Sequence, residues 1–358
     1  MNQKPIKKLA VVLFNLGGPD SPSAVKPFLF NLFNDSAIIR LPNPFRWLLA
    51  TIISTIRAPK SRKLYELVGG KSTLLPATEQ QANELKNSIS NLAEHVEVFV
   101  CMRYWDPMVE EVVGKISDFS PDRIALLPLY PQFSTCTTGT SIKAFQREMK
   151  RQEIDIPSDT LCCYPTHSGF LDATISNINE ALIKARRFGR PRILLSAHGL
   201  PEKIIDSGDP YKWQVEQTAM AIVEAVGDPD IEFVTCYQSR VTPVKWIGPY
   251  TDNEVKRAGQ DKVPIIIVPI AFVSEHVETL VELDIEFKEI ADEHQVPYFS
   301  RVPAVAADCK FINGLGNLVR QTLLSSDAIV SDIRHRRCPV KYTSCPNRVG
   351  ANEDLSAG

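Results

Sequence analysis

The chain has 358 residues, of which 44% are hydrophobic and 23% are charged, and its formal net charge is −2. This length suffices for two domains of ordinary size, each with its own hydrophobic core. The balanced composition excludes a disordered or fibrous chain, and the lack of a basic stripe with interleaved aromatic residues excludes a nucleic-acid-binding protein.

The N-terminal segment predicts a buried strand rather than a targeting signal. Residues 1–20 read MNQKPIKKLAVVLFNLGGPD, and their apolar run of about seven residues lacks a small-residue cleavage site. The longest apolar stretch, FRWLLATIIST at 45–55, is shorter than the roughly 20 residues that span a bilayer. We therefore expect a cytoplasmic protein in which this stretch is able to touch a membrane surface.

Short apolar, β-branched runs recur along the chain, and amphipathic stretches separate them. Runs this hydrophobic indicate strands that are buried on both faces, as in a parallel sheet covered by helices. We predict an α/β protein with two doubly wound, Rossmann-like domains at 1–158 and 159–320, followed by a C-terminal extension at 321–358. The predicted strands are 8–14, 96–102, 123–129, 160–164, 192–197, 231–236, 263–272 and 296–302.

The segment SEHVETLVELDIEF at 274–287 concentrates carboxylates on one face of a predicted helix. At about 100° per residue, four of them fall within a stripe roughly 80° wide. Like charges three or four residues apart destabilise a helix by roughly 0.2–0.5 kcal/mol per pair. This segment alone does not distinguish between two interpretations, a solvated acidic surface and a path for ions. The four residues are Glu275, Glu278, Glu282 and Glu286.

His198 follows a predicted buried strand and precedes a Gly-Leu-Pro turn. In doubly wound sheets, ligands bind beyond the carboxyl ends of the strands, which is also where the acidic segment begins. We expect His198 and Glu278 to face one cleft. An imidazole and a carboxylate suit ferrous iron and other borderline divalent metals, and the further carboxylates resemble a path for a hydrated cation about 16 Å long towards solvent.

Six sequence blocks, spread over nearly the whole chain, resemble the signature blocks of the ferrochelatase family. They are FNLGGPDSPSAVKPFLFNLFND, MRYWDP, LYPQFSTCTTGTS, SAHGLPEKIIDSGDPY, CYQSRVTPVKWIGPYTDNEV and IAFVSEHVETLVELDIEF. The resemblance implies a chelatase-like fold with a porphyrin cleft between two lobes. It also implies a lyase that inserts Fe²⁺ into protoporphyrin IX in the last step of haem biosynthesis, with release of two protons and without an organic cofactor.

The same resemblance implies roles for individual residues. His198 and Glu278 match the pair that handles metal and protons, while Glu275, Glu282 and Glu286 extend the metal path. Whether iron arrives on the face of this pair or from the opposite side remains open. The residues expected to contact the porphyrin are Leu16, Arg57, Tyr65, Arg103, Tyr104, Tyr130 and Trp246.

The tail RHRRCPVKYTSCPNRVG leaves a 2Fe–2S cluster open. Cys338-Pro339 matches family members that carry this cluster, but Lys341 stands where a second ligand is expected and Cys345 is one residue out of register. Most such clusters need four thiolates. The candidate ligands are Cys136, Cys338 and Cys345, with one of Cys162, Cys163 or Cys309.

Two other interpretations remain. One is a chelatase that acts on coproporphyrin or another tetrapyrrole, although the block NLGGPDSPSAVKPFLFNLF resembles the protoporphyrin type. The other is a haem- or iron-binding protein without enzymatic activity; such proteins are commonly exported, whereas the N-terminal residues lead us to expect no signal peptide. The expected partners are protoporphyrin IX, Fe²⁺ and a membrane surface, and the chain is expected to be a monomer or a homodimer.

Overall fold

In a computed structural model, which describes residues 6–240 and 244–347, the chain forms two parallel sheets covered by helices. The strands are β1 Lys8–Asn15, β2 His95–Met102, β3 Arg123–Pro128, β4 Ser158–Leu161, β5 Arg192–His198, β6 Glu232–Gln238, β7 Ile265–Pro269, β8 Phe299–Arg301 and β9 Ile329–Val330. The first sheet has the order β2-β1-β3-β4-β9 and the second β6-β5-β7-β8. Each neighbouring pair is parallel, so the predicted architecture of two parallel α/β sheets is confirmed.

The helices connect successive strands and cover both faces of the sheets. They are α1 Val25–Phe33, α2 Phe45–Glu66, α3 Leu74–Ser88, α4 Val109–Phe119, α5 Thr140–Arg151, α6 Ser168–Ala185, α7 Glu202–Asp206, α8 Tyr211–Val226, α9 Thr251–Asp261, α10 Phe287–Glu293 and α11 Cys309–Leu324. Two π-helical segments occupy Thr135–Gly139 and Glu278–Glu286.

The first strand is buried on both faces because its side chains alternate between two apolar clusters. Val11 packs in a cluster with Leu85 of α3, whereas Val12 packs in a cluster with Val113 of α4. Successive side chains of a strand point to opposite faces, so a run without polar residues requires cover on both.

The first sheet contains chain segments from both ends of the molecule. β4 pairs with β3 through Ala125 and Asp159, and β9 pairs with β4 through Thr160 and Ile329. The boundary predicted between residues 158 and 159 therefore cuts through β4. The predicted C-terminal extension supplies β9, a strand absent from the prediction because two residues carry no periodic pattern.

Helix α2 presents large apolar side chains to solvent between residues 45 and 56. Trp47 is 52% exposed, Leu48 is 55% exposed and Ile56 is 72% exposed. Within the described ranges, we find no helix that combines the length and the apolar character needed to cross a bilayer. The exposed apolar side chains therefore belong to a helix at the surface of the protein. This helix contains the stretch 45–55, which was predicted to touch a membrane.

Candidate active site

His198 is the last residue of β5, which lies between β6 and β7 in the second sheet. Its side chain therefore projects from the carboxyl edge of the sheet, where the loops open. Nδ1 lies 2.5 Å from the carbonyl oxygen of Gly199. A carbonyl only accepts hydrogen bonds, so Nδ1 carries a proton and Nε2 is the nitrogen available for proton exchange or metal binding.

The structure brings Glu278 beside His198. Nε2 of His198 lies 3.5 Å from Oε1 of Glu278, and the two side chains are 32% and 29% exposed. On the other side of the carboxylate, Nε2 of His276 lies 3.7 Å from Oε2. Glu278 thus sits between two imidazoles. Sequence reasoning missed His276, although it stands two residues before Glu278 in the acidic segment.

Opposite charges in close contact shift the pKa values of this pair in opposite directions. Burial alone would lower the pKa of His198, but the charge of Glu278 and the hydrogen bond to it outweigh burial and raise this pKa to about 9. Burial alone would raise the pKa of Glu278, but the His198 charge lowers it to about 2. At neutral pH the pair is an imidazolium and a carboxylate.

His276 remains neutral because burial dominates there. Burial lowers the pKa of this histidine below its ordinary value, in spite of the neighbouring charge of Glu278. Its Nδ1 is buried without a hydrogen-bond partner, and its ring packs edge-on against Phe272 with 4.6 Å between the ring centroids. The two histidines that flank Glu278 therefore differ in charge.

The acidic segment leads from Glu278 to the surface. Glu282 accepts hydrogen bonds from the Ser239 amide at 2.8 Å and from Gln238 Nε2 at 3.3 Å. Burial and the charge of Glu278 raise the pKa of Glu282 to about 7. Glu286 is exposed. Ionisable oxygens thus occur at successive depths between the half-buried pair and solvent.

The backbone of this segment differs from the predicted α-helix. Residues Glu278–Glu286 form a π-helix, whose i→i+5 hydrogen bonds widen each turn. The α-helical spacing of about 100° per residue is therefore wrong for this stretch. π-Helical turns are rare and occur frequently at functional sites.

Glu275 does not share the path predicted for it. Its carboxylate accepts hydrogen bonds from Arg301 Nη1 at 2.5 Å, from the Ala304 amide at 2.9 Å and from Thr279 Oγ1 at 2.5 Å. Arg301 also binds Asp284. The Glu275 carboxylate is therefore engaged in an ion pair with Arg301 of β8, and the predicted metal role of Glu275 is not supported.

Helices and loops of the first sheet form an apolar wall beside Glu278. Leu16, Tyr65 and Tyr104 share one cluster with Val277, the residue before Glu278. Burial and the nearby charge of Glu278 raise the pKa of Tyr65 well above its ordinary value. The structure thus brings three of the predicted porphyrin-contacting residues into one cluster, in which Tyr65 and Tyr104 are buried and Leu16 is partly exposed.

The polar ends of Arg103 and Tyr104 bind a buried carboxylate that sequence reasoning missed. Asp35 accepts hydrogen bonds from Arg103 Nη2 at 2.6 Å, from Tyr104 Oη at 3.0 Å and from Thr140 Oγ1 at 2.6 Å. Burial alone would raise the pKa of Asp35, but the Arg103 charge and these hydrogen bonds lower it. Asp35 therefore stays ionised and holds this part of the wall in place.

The remaining predicted contacts lie at separate places. Arg57 of α2 lies over the Phe33 ring at 5.6 Å, and burial lowers its pKa without the charge of any carboxylate among the described residues to oppose this shift. The Trp246 ring lies 6.5 Å from the His198 ring. Tyr130 packs instead against the core cluster of the first sheet that includes Phe145. The structure therefore sets Trp246, but not Tyr130, beside the histidine.

The 2Fe–2S cluster that the C-terminal tail left open finds no support in the arrangement of the cysteines. Cys136 Sγ contacts the Ala37 carbonyl at 3.3 Å, whereas Cys338 lies beside Cys345 and near Cys163. Among residues 6–240 and 244–347, no three or more His, Cys, Asp or Glu side chains are arranged to hold a metal ion. The four-thiolate site is therefore not supported. In the same described ranges, His198 and Glu278 belong to no group of three or more side chains that could hold a metal ion.

Comparisons with known proteins agree along nearly the whole chain. The sequence profile of the family described as Ferrochelatase matches residues 8–323. A ferrochelatase of Rickettsia felis is 49% identical over 342 residues, which cover 95% of this chain and 98% of that relative. A ferrochelatase of Caulobacter vibrioides is 48% identical over 348 residues, covering 97% and 99% of the two chains.

Solved structures of other chelatases share the fold. SirB from Bacillus subtilis with Fe³⁺ superposes with a TM-score of 0.53 at 12% identity, covering 89% of this chain and 97% of SirB. The sirohydrochlorin chelatase SirB from the subspecies spizizenii, in complex with cobalt, gives a TM-score of 0.52 at 12% identity, covering 88% and 95%. At this identity the similarity supports the fold alone.

Proposed function

The chain belongs to the ferrochelatase family and is a lyase that makes haem by inserting Fe²⁺ into a porphyrin, and we propose that His198 and Glu278 carry out this reaction on protoporphyrin IX. The observation that supports this assignment is the 3.5 Å contact between His198 Nε2 and Glu278 Oε1 at the carboxyl edge of the second sheet. An apolar wall that includes Leu16 and Tyr65 lies beside them.

The reaction exchanges one divalent cation for two pyrrole protons. In the resting pair, Nε2 of His198 holds a proton because Glu278 is ionised. Fe²⁺ approaching this carboxylate competes with the imidazolium for its negative charge, which lowers the pKa of His198 and releases the proton. Nε2 then serves as the base for a pyrrole N–H, while the Gly199 carbonyl keeps the ring oriented.

The acidic segment carries ions between the pair and solvent. The pKa of Glu282, about 7, allows this carboxyl to accept and to release a proton near neutral pH. Glu286 stands at the exposed end of the segment. We assign to Glu278, Glu282 and Glu286 the stepwise transfer of protons outward and the stepwise exchange of water on incoming Fe²⁺ for carboxylate oxygens.

The porphyrin lies, in this proposal, against the wall of the first sheet. Leu16 offers it apolar surface, the buried rings of Tyr65 and Tyr104 support that surface from within, and Trp246 flanks it beside His198. Arg57 is half-buried without a nearby carboxylate, which suits an anionic propionate. Because the guanidinium of Arg103 and the hydroxyl of Tyr104 already bind Asp35, these two residues contribute shape rather than free polar groups.

We also propose that the protein works in the cytoplasm and touches a membrane through residues 45–56 of α2. Apolar side chains exposed together on a protein surface mark an interaction site, and a peripheral helix of this kind sits at the headgroup boundary. A sparingly soluble porphyrin would then pass between bilayer and wall without crossing bulk water. The exposed residues are Phe45, Trp47, Leu48, Ile52 and Ile56.

The decisive experiment is anaerobic metal insertion by the purified chain, followed by absorbance, with Fe²⁺ and either protoporphyrin or coproporphyrin. We expect turnover with protoporphyrin, and loss of turnover in His198→Ala with unchanged circular dichroism. Glu289→Gln, at an exposed position of α10, is the matched control and should behave as the wild type. Full activity of His198→Ala would contradict the assigned role, and preference for coproporphyrin would reassign the substrate.

A further inference from the structure

Helix α3 covers the first sheet, yet one of its side chains binds loops of the second. Gln81 is fully buried, and its Nε2 donates to the carbonyl oxygens of Val273 at 2.9 Å and Ala306 at 2.8 Å. Its Oε1 accepts a hydrogen bond from Ser274 Oγ at 3.0 Å. Both amide hydrogens and the amide oxygen of this side chain are therefore engaged across the two halves of the molecule.

The two loops that Gln81 joins follow neighbouring strands of the second sheet. Val273 and Ser274 come after β7 and lead directly into the segment with His276 and Glu278, whereas Ala306 comes after β8. Ala306 has a φ of +47°, a left-handed conformation that a residue with a Cβ adopts rarely. Its amide donates to Val273 O at 3.0 Å. Gln81 thus links the carbonyl groups of Val273 and Ala306 with the Ser274 hydroxyl, at the start of the acidic segment.

The same helix is also fixed to the opposite wall of the site. Thr78 Oγ1 accepts a hydrogen bond from Asn15 Nδ2 at 3.0 Å, and Asn15 Oδ1 accepts one from the Leu16 amide at 2.8 Å. At the start of the helix, Thr73 Oγ1 donates to the Glu275 carbonyl at 3.0 Å. One rigid helix therefore connects Leu16 to the backbone that carries Glu278.

We propose that Gln81 is a positioning residue, which through α3 sets the separation between the Leu16 wall and the Glu278 carboxylate and so places the metal-handling group over the bound porphyrin. This inference rests on the proposed function of Glu278. Gln81 touches neither substrate; it acts through Val273, Ser274 and Ala306. Misplacing a reacting group by about 1 Å costs on the order of 100-fold in rate, so a contact this far from the chemistry is able to control turnover.

The test compares Gln81→Leu with Gln80→Leu, a matched change at the neighbouring exposed position of the same helix. Both variants are assayed with Zn²⁺ and protoporphyrin, and porphyrin affinity is measured separately by fluorescence quenching without metal. We expect Gln81→Leu to lower kcat on the order of tenfold or more and to leave the porphyrin Kd within about twofold. Gln80→Leu should match the wild type. Gln81→Glu, which keeps the shape but loses both donors, should fall at least as far as Gln81→Leu.

Each outcome decides the proposal. An unchanged kcat in Gln81→Leu overturns it, and so does a loss of porphyrin affinity as large as the loss of kcat, because that pattern indicates general disruption of the wall. If Gln81→Leu fails to fold, Ser274→Ala removes one of the three hydrogen bonds and should lower kcat about threefold at constant porphyrin Kd; no change there also overturns the proposal. Full activity of Glu278→Gln would instead refute the proposed function itself.

Discussion

Replacing Glu278 by glutamine should return the pKa of His198 from about 9 towards, or below, its ordinary value of 6.5. The glutamine keeps the size of the side chain but removes the charge that outweighs burial. A difference from 6.5 to about 9 corresponds to an interaction free energy of roughly 3 kcal/mol. Because both side chains are about one-third exposed, solvent screening reduces the expected contribution to about 1–3 kcal/mol of folding free energy.

The sign of the pH dependence follows from the two shifts. The raised pKa of His198 stabilises the fold fully below pH 6.5, and this contribution is lost as the pH rises through about 9. The lowered pKa of Glu278 stabilises the fold above pH 4.5, and this contribution is lost as the pH falls through about 2. The pair therefore contributes most between about pH 4.5 and 6.5.

Urea denaturation of the wild type and of Glu278→Gln at pH 6 and at pH 10 measures this contribution directly. We expect the wild type to be more stable at pH 6 and the two proteins to be nearly equal at pH 10. NMR titration of the His198 ring gives the pKa in both proteins, with Glu289→Gln as the control for loss of an exposed charge. A His198 pKa near 6.5 in the wild type, or a stability difference that does not change with pH, would refute the electrostatic reasoning.

Three further predictions concern the wall, the acidic segment and the surface helix. Asp35→Asn leaves Arg103 buried without its carboxylate and should lower the free energy of unfolding by roughly 3 kcal/mol in urea titrations; a loss below 0.5 kcal/mol would show that the network is dispensable. Glu282→Gln should remove an inflection near pH 7 from the kcat profile, and an unaltered profile would exclude this carboxyl from proton transfer. Trp47→Asp combined with Ile52→Asp should abolish sedimentation with phosphatidylglycerol vesicles while turnover of detergent-dispersed porphyrin persists, whereas undiminished sedimentation would place the membrane contact elsewhere.

Of the nine strands that the structure describes, all but β9 could be predicted from the sequence, because burial in a parallel sheet favours an apolar run. β1 shows this clearly, since every residue of 9–14 is at most 1% exposed. The approximate position of His198 followed from the same logic, because the carboxyl end of a buried strand opens towards ligands. The pattern could not distinguish an α-helix from a π-helix at 278–286, because a run of acidic and apolar residues does not indicate whether the backbone hydrogen bonds close after four or five residues.

Only the tertiary structure decided which polar groups meet. Glu275 lies in the same acidic run as Glu278, yet its carboxylate binds Arg301 of β8, while the Glu278 carboxylate faces His198. Asp35 and Gln81 carry no local pattern that marks them; Asp35 binds Arg103, 68 residues away along the chain, and Gln81 binds Val273, 192 residues away. Burial of apolar surface is a property of each residue and its near neighbours, whereas the pairing of charges and hydrogen bonds depends on the path that the whole chain takes through space.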